Sequence, residues 1–177
     1  LIGAEGTLGL LAEIDVQLTA APEPQLVMVM GVPNVGDLLQ ILQTFNSGLT
    51  LSAFEFFSDV ALQKVREHRG LPAPLAQAEA FYALVEFDQS ANSAAEAAFA
   101  ACLASGWVTD GVLSQSEAQA AALWQLREGI SEAIAPYTPY KNDLSVRISD
   151  VPEFLADVDK YVADSFPDFA VCWYGHI

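Results

Sequence analysis

The sequence predicts a mixed domain of β-strands and α-helices and leaves two fold classes open. Strand-like and helix-like segments alternate throughout the chain, which favours a parallel α/β sheet with helices on its faces. Several linkers are very short, however, and no glycine-rich loop follows any strand after residue 25, as a doubly wound nucleotide site requires. These two features favour an α+β fold, with helices packed on one face of a mainly antiparallel sheet.

The first half of the chain reads as a loop followed by alternating elements. A glycine-rich turn leads into an alternating segment typical of a strand, and the proline-bounded break "APEPQ" places a boundary near residues 21–25. A helix that ends in cations, with Gly70 just past it, is expected after the third strand. In order, the predicted elements are the strands "LLAEIDVQL" and "LVMVMGV", the helix "NVGDLLQILQTF", the strand "LSAFEFFS", the helix "DVALQKVREHRG" and the strand "AFYALVEF".

The second half carries two predicted capping boxes. Ser93 with Glu96 is expected to cap the helix "AAEAAFAACLAS", and Ser114 with Glu117 a long helix that runs to Pro136. The remaining predicted elements are the strands "WVTDGVL" and "LSVRI", the amphipathic helix "SDVPEFLADVDKYVADS" and the strand "FAVCWY".

Composition excludes several classes of function. The 177 residues are 53% apolar, enough for one domain with a full core or one domain plus a remnant of another. Seven Lys and Arg against 23 Asp and Glu give a net charge of −16, which would repel a nucleic acid backbone. No charge-free apolar run approaches the roughly 20 residues of a membrane span. Cys102 and Cys172 fit no metal spacing and are expected to be buried free thiols.

One stripe of the long predicted helix could bind an anion. Trp124, Arg127 and Ser131 follow one another at helical spacing beside the apolar stripe, and a guanidinium there could hold a carboxylate with two parallel hydrogen bonds. The alternative is that Arg127 pairs with Glu128 or Glu132 and that Trp124 is ordinary core.

Three other places could carry chemistry. Lys141 and Asp143 would share one face of a strand entry, unless that entry is a solvated edge. His176 could be a metal ligand or a general base, although a lone His is more often structural. The glycines of the opening loop could bring backbone N–H groups to a phosphate, although any tight turn uses glycine.

Taken together, several stretches resemble one family. "LIGAEGTLGLLAEIDVQL" resembles the segment that ends the FAD-binding domain of the vanillyl-alcohol-oxidase type flavoenzymes, in the branch with glycolate oxidase, D-lactate dehydrogenase and 2-hydroxyglutarate dehydrogenase. The usual wording there is G-S-E-G-T-L-G, from which Ala4 departs. Five later stretches resemble segments of the family's C-terminal cap domain and occur in the same order: "AFEFFSDVAL", "LWQLREGISEA", "KNDLSV", "ISDVPEFL" and "YGHI".

The resemblance implies an architecture. The cap domain of that family is α+β and ferredoxin-like, which decides between the two fold classes. Residues 1–24 would be the C-terminal remnant of the FAD-binding domain, and residues 25–177 the substrate (cap) domain, truncated at its C-terminal end. The chain would then be an incomplete fragment, inactive and without bound cofactor on its own.

The resemblance also implies site residues. Arg127, Ser131 and Lys141 would hold the carboxylate of the substrate, and His176 would be the first His of the family's G-H-x-G-D-G-N-x-H metal and active-site signature. Arg147 stands where the family often has Pro, which bears on the local strand edge and on substrate choice. The implied cofactor-binding residues are Gly3, Glu5, Gly6, Thr7 and Gly9.

The implied function is that of an FAD-dependent 2-hydroxy acid dehydrogenase or oxidase, in which the flavin accepts a hydride from the α-carbon. A divalent metal (zinc, manganese or iron) would take part in the intact protein. The expected partners are a small 2-hydroxy acid, the FAD-binding domain of the same chain and an electron acceptor. The expected location is the cytoplasm or the periphery of the inner membrane. The rival from another class is a non-catalytic α+β module that binds a small acid or a protein partner.

Overall fold

The computed structural model describes residues 2–19, 21 and 23–177. Its centre is a five-stranded sheet in the order β4-β1-β3-β2-β5, in which every pair of neighbours is antiparallel. The α+β class is therefore confirmed, and the parallel α/β alternative is wrong. The strands are β1 Gln25–Val32, β2 Leu51–Ser58, β3 Phe81–Asp88, β4 Gly111–Leu113 and β5 Tyr174–His176.

Helices connect these strands in a ferredoxin-like pattern. The chain passes from β1 to β2 and from β3 to β4 through a helix, so that β3 lies between β1 and β2. β5 extends this core sheet along the free edge of β2. The helices are α1 Asp37–Gly48, α2 Asp59–Arg69, α3 Asn92–Ala104, α4 Glu117–Glu128, α5 Ile130–Ile134 and α6 Val151–Ser165, with short 3-10 turns at Gln89–Ala91, Ala135–Tyr137 and Ile148–Asp150.

Helices cover both faces of the sheet, so the expectation of helices on one face is wrong. The four consecutive residues 27–30 of β1 are all buried, which makes both faces apolar, and each face therefore needs its own covering layer. One core, beneath α1, α3 and α6, includes Met28, Met30, Leu38, Ile41, Phe45, Phe54, Val85, Phe87 and Leu155. The opposite core, beneath α2, α4 and α5, includes Val27, Val29, Phe57, Leu62, Val65, Tyr82, Leu84, Leu126 and Ile130.

Helix ends follow the sequence signals in part. Gly70 adopts the left-handed conformation (φ +67°) at the end of α2, as predicted. The hydroxyl of Ser116, and not that of Ser114, accepts the hydrogen bond from Gln119 N that caps α4. Ser114 is buried, and its Oγ accepts from Val27 N at 2.9 Å. The capping box at Ser93 is also wrong, since α3 begins at Asn92 without a side-chain cap.

Several predicted elements are shorter than expected or absent. The long helix is interrupted at Gly129. The strand predicted at "FAVCWY", residues 169–174, shares only Tyr174 with β5, which is Tyr174–His176. Residues 10–19 and 144–148 form no strand and are exposed; neither pairs with the sheet, and an extended segment without a partner is not stable as a strand in water. The proposed segment 1–24 includes Leu1, Ala20 and Pro22, which lie outside the described residues.

No helix within the described ranges is long and apolar enough to cross a membrane.

Candidate functional site

The site forms where β2 and β5 meet, on the face covered by α2, α4 and α5. In the antiparallel pair, Glu55 lies opposite His176 and Phe57 lies opposite Tyr174. Directly opposed residues project to the same face of a sheet, and Phe57 and Tyr174 belong to the core beneath these helices. The register therefore places Glu55, Tyr174 and His176 side by side on that face.

Arg127 of α4 joins this group from above. Its Nε donates a hydrogen bond to Glu55 Oε2 at 2.8 Å, and its guanidinium carbon lies 4.9 Å from the centre of the Tyr174 ring. The side chains of Arg127 and Glu55 are only 17% and 15% exposed, so water screens this ion pair weakly. The alternative pairing of Arg127 with Glu128 or Glu132 is wrong.

A second carboxylate lies on the neighbouring strand. Glu86 of β3 accepts a hydrogen bond from Trp124 Nε1 at 2.7 Å, and Trp124 stands one turn before Arg127. Trp124 is half-buried and carries this polar contact, so it is more than ordinary core. Positions i and i+3 of α4 thus reach two carboxylates of the sheet, as residues on one helix face can.

Ser131 and Lys141 come together beyond the interruption at Gly129. Lys141 Nζ donates to Ser131 Oγ at 2.7 Å and approaches Ser131 O at 3.4 Å, and both residues are exposed. Ser131 follows Arg127 by four residues, but it belongs to α5, and Lys141 lies in the loop that follows. The predicted shared strand face of Lys141 and Asp143 is wrong, because no strand forms there.

Gly129 lies between α4, which carries Arg127, and α5, which carries Ser131, at a point with little room for a side chain. A Cβ at this position would lie 2.8 Å from Gln125 O and 3.1 Å from the guanidinium of Arg69. Arg69 crosses this point to pair with Glu132, which lowers the pKa of the Glu132 carboxyl chiefly through the hydrogen bond and charge of the guanidinium. A side chain at position 129 would therefore meet the backbone carbonyl of Gln125 in α4 and the Arg69 side chain of α2.

The opening loop is a turn in which three residues have positive φ. Gly3 and Gly6 are left-handed (φ +81° and +76°), Glu5 has a φ of +47°, and Thr7 N donates to Ala4 O at 2.9 Å. Among the described residues, no atom lies within 4 Å of a Cβ built on Gly3, Gly6 or Gly9, so the backbone of this loop is open.

His176 is an exposed residue at the end of β5, opposite Glu55. Among residues 2–19, 21 and 23–177, no group of three or more His, Cys, Asp or Glu side chains could hold a metal ion. Within these ranges the candidate site offers one imidazole, that of His176, and does not itself fit a closed metal centre, which takes three or four ligands.

Other polar and cavity features lie elsewhere. Two surface hollows are lined mainly by α1 and by α2, and neither includes Arg127, Lys141 or His176. Cys102 and Cys172 are free, as expected, although only Cys102 is fully buried. Burial raises the pKa of both thiols, so neither is an activated nucleophile.

Reasoning from the sequence missed Glu55, Glu86 and Tyr174. Glu55 interrupts the apolar strand "AFEFFS", and an acidic residue within such a strand is the signal that could have identified it. Its partner was not predictable, because Arg127 is 72 residues further along the chain.

Comparison with known proteins agrees with the resemblance found in the sequence. A sequence model of the family described as "FAD linked oxidases, C-terminal domain" matches residues 21–177. A D-2-hydroxyglutarate dehydrogenase of Xanthomonas citri pv. viticola is 51% identical over 180 residues, covering 100% of this chain and 38% of that protein. That of Stutzerimonas stutzeri is 47% identical, covering 99% and 39%. The mitochondrial D-2-hydroxyglutarate dehydrogenase of Bos taurus is 35% identical, covering 99% and 33%.

The chain thus spans between 33% and 39% of the length of these relatives. The matched residues include the five strands, the six helices and the cluster around Arg127. The chain belongs to the FAD-linked oxidases and carries their C-terminal domain.

Proposed function

We propose that this chain is the substrate-recognition (cap) domain of an FAD-dependent 2-hydroxy acid dehydrogenase, and that the substrate is D-2-hydroxyglutarate. The family match supports FAD as the cofactor, and the names of two bacterial relatives, both D-2-hydroxyglutarate dehydrogenases, support the substrate. When bound, FAD supplies the acceptor for the hydride that leaves the α-carbon. The observation that carries the proposal is the sheltered Arg127 beside Glu55 and Tyr174.

Arg127 is proposed to bind a substrate carboxylate. A guanidinium has five N–H donors, and the contact with Glu55 occupies Nε alone. The two terminal nitrogens can therefore donate to the two oxygens of a carboxylate, in the bidentate geometry that gives strong, directional hydrogen bonds. Fixing that carboxylate fixes the orientation of the α-carbon, which is the main contribution a binding domain can make to hydride transfer.

Lys141 and Ser131 are proposed as the second part of the same carboxylate grip. The ammonium has three donors, of which the contact with Ser131 Oγ uses one. An exposed ammonium attracts an organic acid in an otherwise strongly acidic chain. We infer that the substrate carboxylate lies between Arg127 and this pair.

His176 is proposed as the base that receives the proton of the substrate hydroxyl. An unprotonated imidazole nitrogen can accept a proton, as a general base requires. The alternative role of His176 is as one ligand of a divalent metal (zinc, manganese or iron), and an imidazole that binds the metal would not then act as the base; the other ligands would have to come from outside the residues that the structure describes.

Residues 1–24 are proposed to complete the FAD-binding domain. The open left-handed turn through Gly3, Glu5 and Gly6, with Thr7 and Gly9 after it, supports backbone contact with the cofactor. One short loop is a small share of a flavin site, so we expect the 177-residue chain alone to bind no flavin and to have no turnover.

The test is to purify the full gene product that includes this chain and to assay D-2-hydroxyglutarate, D-lactate and glycolate with an artificial electron acceptor. We expect bound FAD and the highest kcat/KM with D-2-hydroxyglutarate. If none of the three acids is turned over, the proposed dehydrogenase activity is refuted and the non-catalytic binding module is favoured. Cell fractionation would test the proposed location, in the cytoplasm or at the periphery of the inner membrane.

A further inference from the structure

We propose that Glu55 is a positioning residue, which orients Arg127 so that its two terminal nitrogens face the substrate carboxylate. This inference rests on the proposed function. It concerns a group that does not itself touch substrate, and it begins from the position of Glu55 in β2. A carboxylate 15% exposed in an apolar strand is costly unless a cation pairs with it. The only ion pair of Glu55 within the described ranges is with Arg127.

The guanidinium is held at two points. Nε donates a hydrogen bond to Glu55, and the guanidinium carbon lies over the Tyr174 ring, 4.9 Å from its centre. A hydrogen bond at one edge and a cation–π contact with the ring together restrict the position of the group. An arginine held in this way loses less conformational entropy when it binds an anion, because its rotamer is already selected.

The terminal nitrogens of Arg127 are left available. Among the described residues neither makes a hydrogen bond, and neither is a buried atom without a partner, so both reach solvent. Glu55 therefore engages the one donor that an end-on carboxylate does not need. A carboxylate that bridged the terminal nitrogens instead would compete with the substrate.

The neighbouring strand offers a matched control. Glu86 is also part-buried on this face and also accepts from a residue of α4, but its donor is the neutral indole of Trp124. A change at Glu86 perturbs the same helix–sheet contact without touching the guanidinium.

The experiment uses the full gene product and the variants Glu55→Gln, Glu55→Asp, Glu55→Ala and Glu86→Gln. For each, kcat and KM are measured for the 2-hydroxy acid and for its uncharged ester, together with the melting temperature. Glutamine keeps an acceptor oxygen at the same reach, whereas aspartate keeps the charge but withdraws it by one methylene.

We expect the preference for the acid over the ester to fall about tenfold or more in Glu55→Ala and Glu55→Asp, chiefly through KM, and to stay within about threefold in Glu55→Gln. Glu86→Gln should leave the preference unchanged, whatever its melting temperature. General destabilisation would not alter this ratio, so the ratio separates positioning from a structural role.

Two results would overturn the inference: an unchanged preference in Glu55→Asp and Glu55→Ala, or an equal loss in Glu55→Gln and Glu55→Asp. If Glu55→Ala does not fold, the contrast between Gln and Asp decides. Loss of the preference in Arg127→Ala with retention in all Glu55 variants would refute this inference alone. A wild type that turns over no 2-hydroxy acid would refute the proposed function itself.

Discussion

Replacing Arg127 with Met should destabilise the chain by about 2–3 kcal/mol. The substitution leaves Glu55, 15% exposed, as a carboxylate without its cation. Removing one partner of a fully buried pair costs about 3–5 kcal/mol, and an exposed pair contributes about 0.2–1 kcal/mol, so a pair with one-sixth exposure lies between these limits but nearer the first. In a chain of this size the melting temperature should fall by about 5–10 °C.

A double-mutant cycle with Glu55→Leu separates the ion pair from other effects of the substitutions. The double variant removes both charges, and an apolar pair of similar volume is often as stable as the ion pair that it replaces. We therefore expect the double variant to be more stable than Arg127→Met, with a coupling energy of about 2 kcal/mol from urea unfolding.

The exposed pair Lys160–Asp164 supplies the control for this cycle. Both of its side chains are more than 60% exposed, and Lys160→Ala should change the free energy of unfolding by less than about 0.5 kcal/mol. Two results would refute the claim that the Arg127–Glu55 ion pair stabilises the fold. One is that the losses in free energy of unfolding from Arg127→Met and Glu55→Leu are additive. The other is that the loss from Arg127→Met is no larger than that from Lys160→Ala.

Three further predictions concern the site and the pH dependence of stability. Lys141→Ala in the full gene product should raise KM for the 2-hydroxy acid about tenfold with little change in kcat, and an unchanged KM would remove Lys141 from the carboxylate grip. Burial raises the pKa of Tyr82, so the folded state favours the neutral phenol. The contribution of Tyr82 to the free energy of unfolding should therefore be lost as the pH rises above about 10. Tyr82→Phe should abolish this part of the loss of stability at alkaline pH, as measured by urea unfolding. The hydrogen bond from Arg69 lowers the pKa of Glu132, so the Arg69–Glu132 pair stabilises the fold above the ordinary pKa of 4.5 and less as the pH falls below it. Glu132→Gln should therefore reduce the loss of stability at acid pH in the same measurements. An unchanged loss would exclude this pair as the cause of the acid dependence.

Three strands of the central sheet, β1, β2 and β3, could be predicted from the sequence because they are marked by strong local patterns. The apolar run of β1 and the turn residue Gly70 depend only on their neighbours in the chain. The cap of α4 could not be chosen locally. Ser114 and Glu117 match the capping-box spacing, but the Ser114 hydroxyl is engaged by Val27 N, 87 residues away.

The number of covered sheet faces was harder to predict for the same reason. Each helix carries an apolar stripe, but the stripe does not say which face of the sheet it meets. The unbroken burial of residues 27–30 holds that information, because a strand with one solvated face would alternate.

The candidate site was predictable only in part. Arg127, Ser131, Lys141 and His176 were identified through family resemblance, whereas helical spacing alone also allowed a pairing of Arg127 within its own helix. The contact with Glu55 depends on how α4 lies across β2 and β5, and no local rule encodes that crossing. The long-range ion pair between Arg127 and Glu55 is therefore the part of the site that local sequence patterns do not predict.

The most direct test of the proposal is anaerobic reduction of the flavin by D-2-hydroxyglutarate in the full gene product. The reduction is monitored as loss of flavin absorbance, in the wild type and in Arg127→Ala. We predict that the wild type bleaches with a saturable dependence on acid concentration. In the variant, the concentration that gives half the maximal rate should rise by about tenfold or more. Equal half-saturating concentrations in the two proteins would contradict the claim that Arg127 holds the substrate.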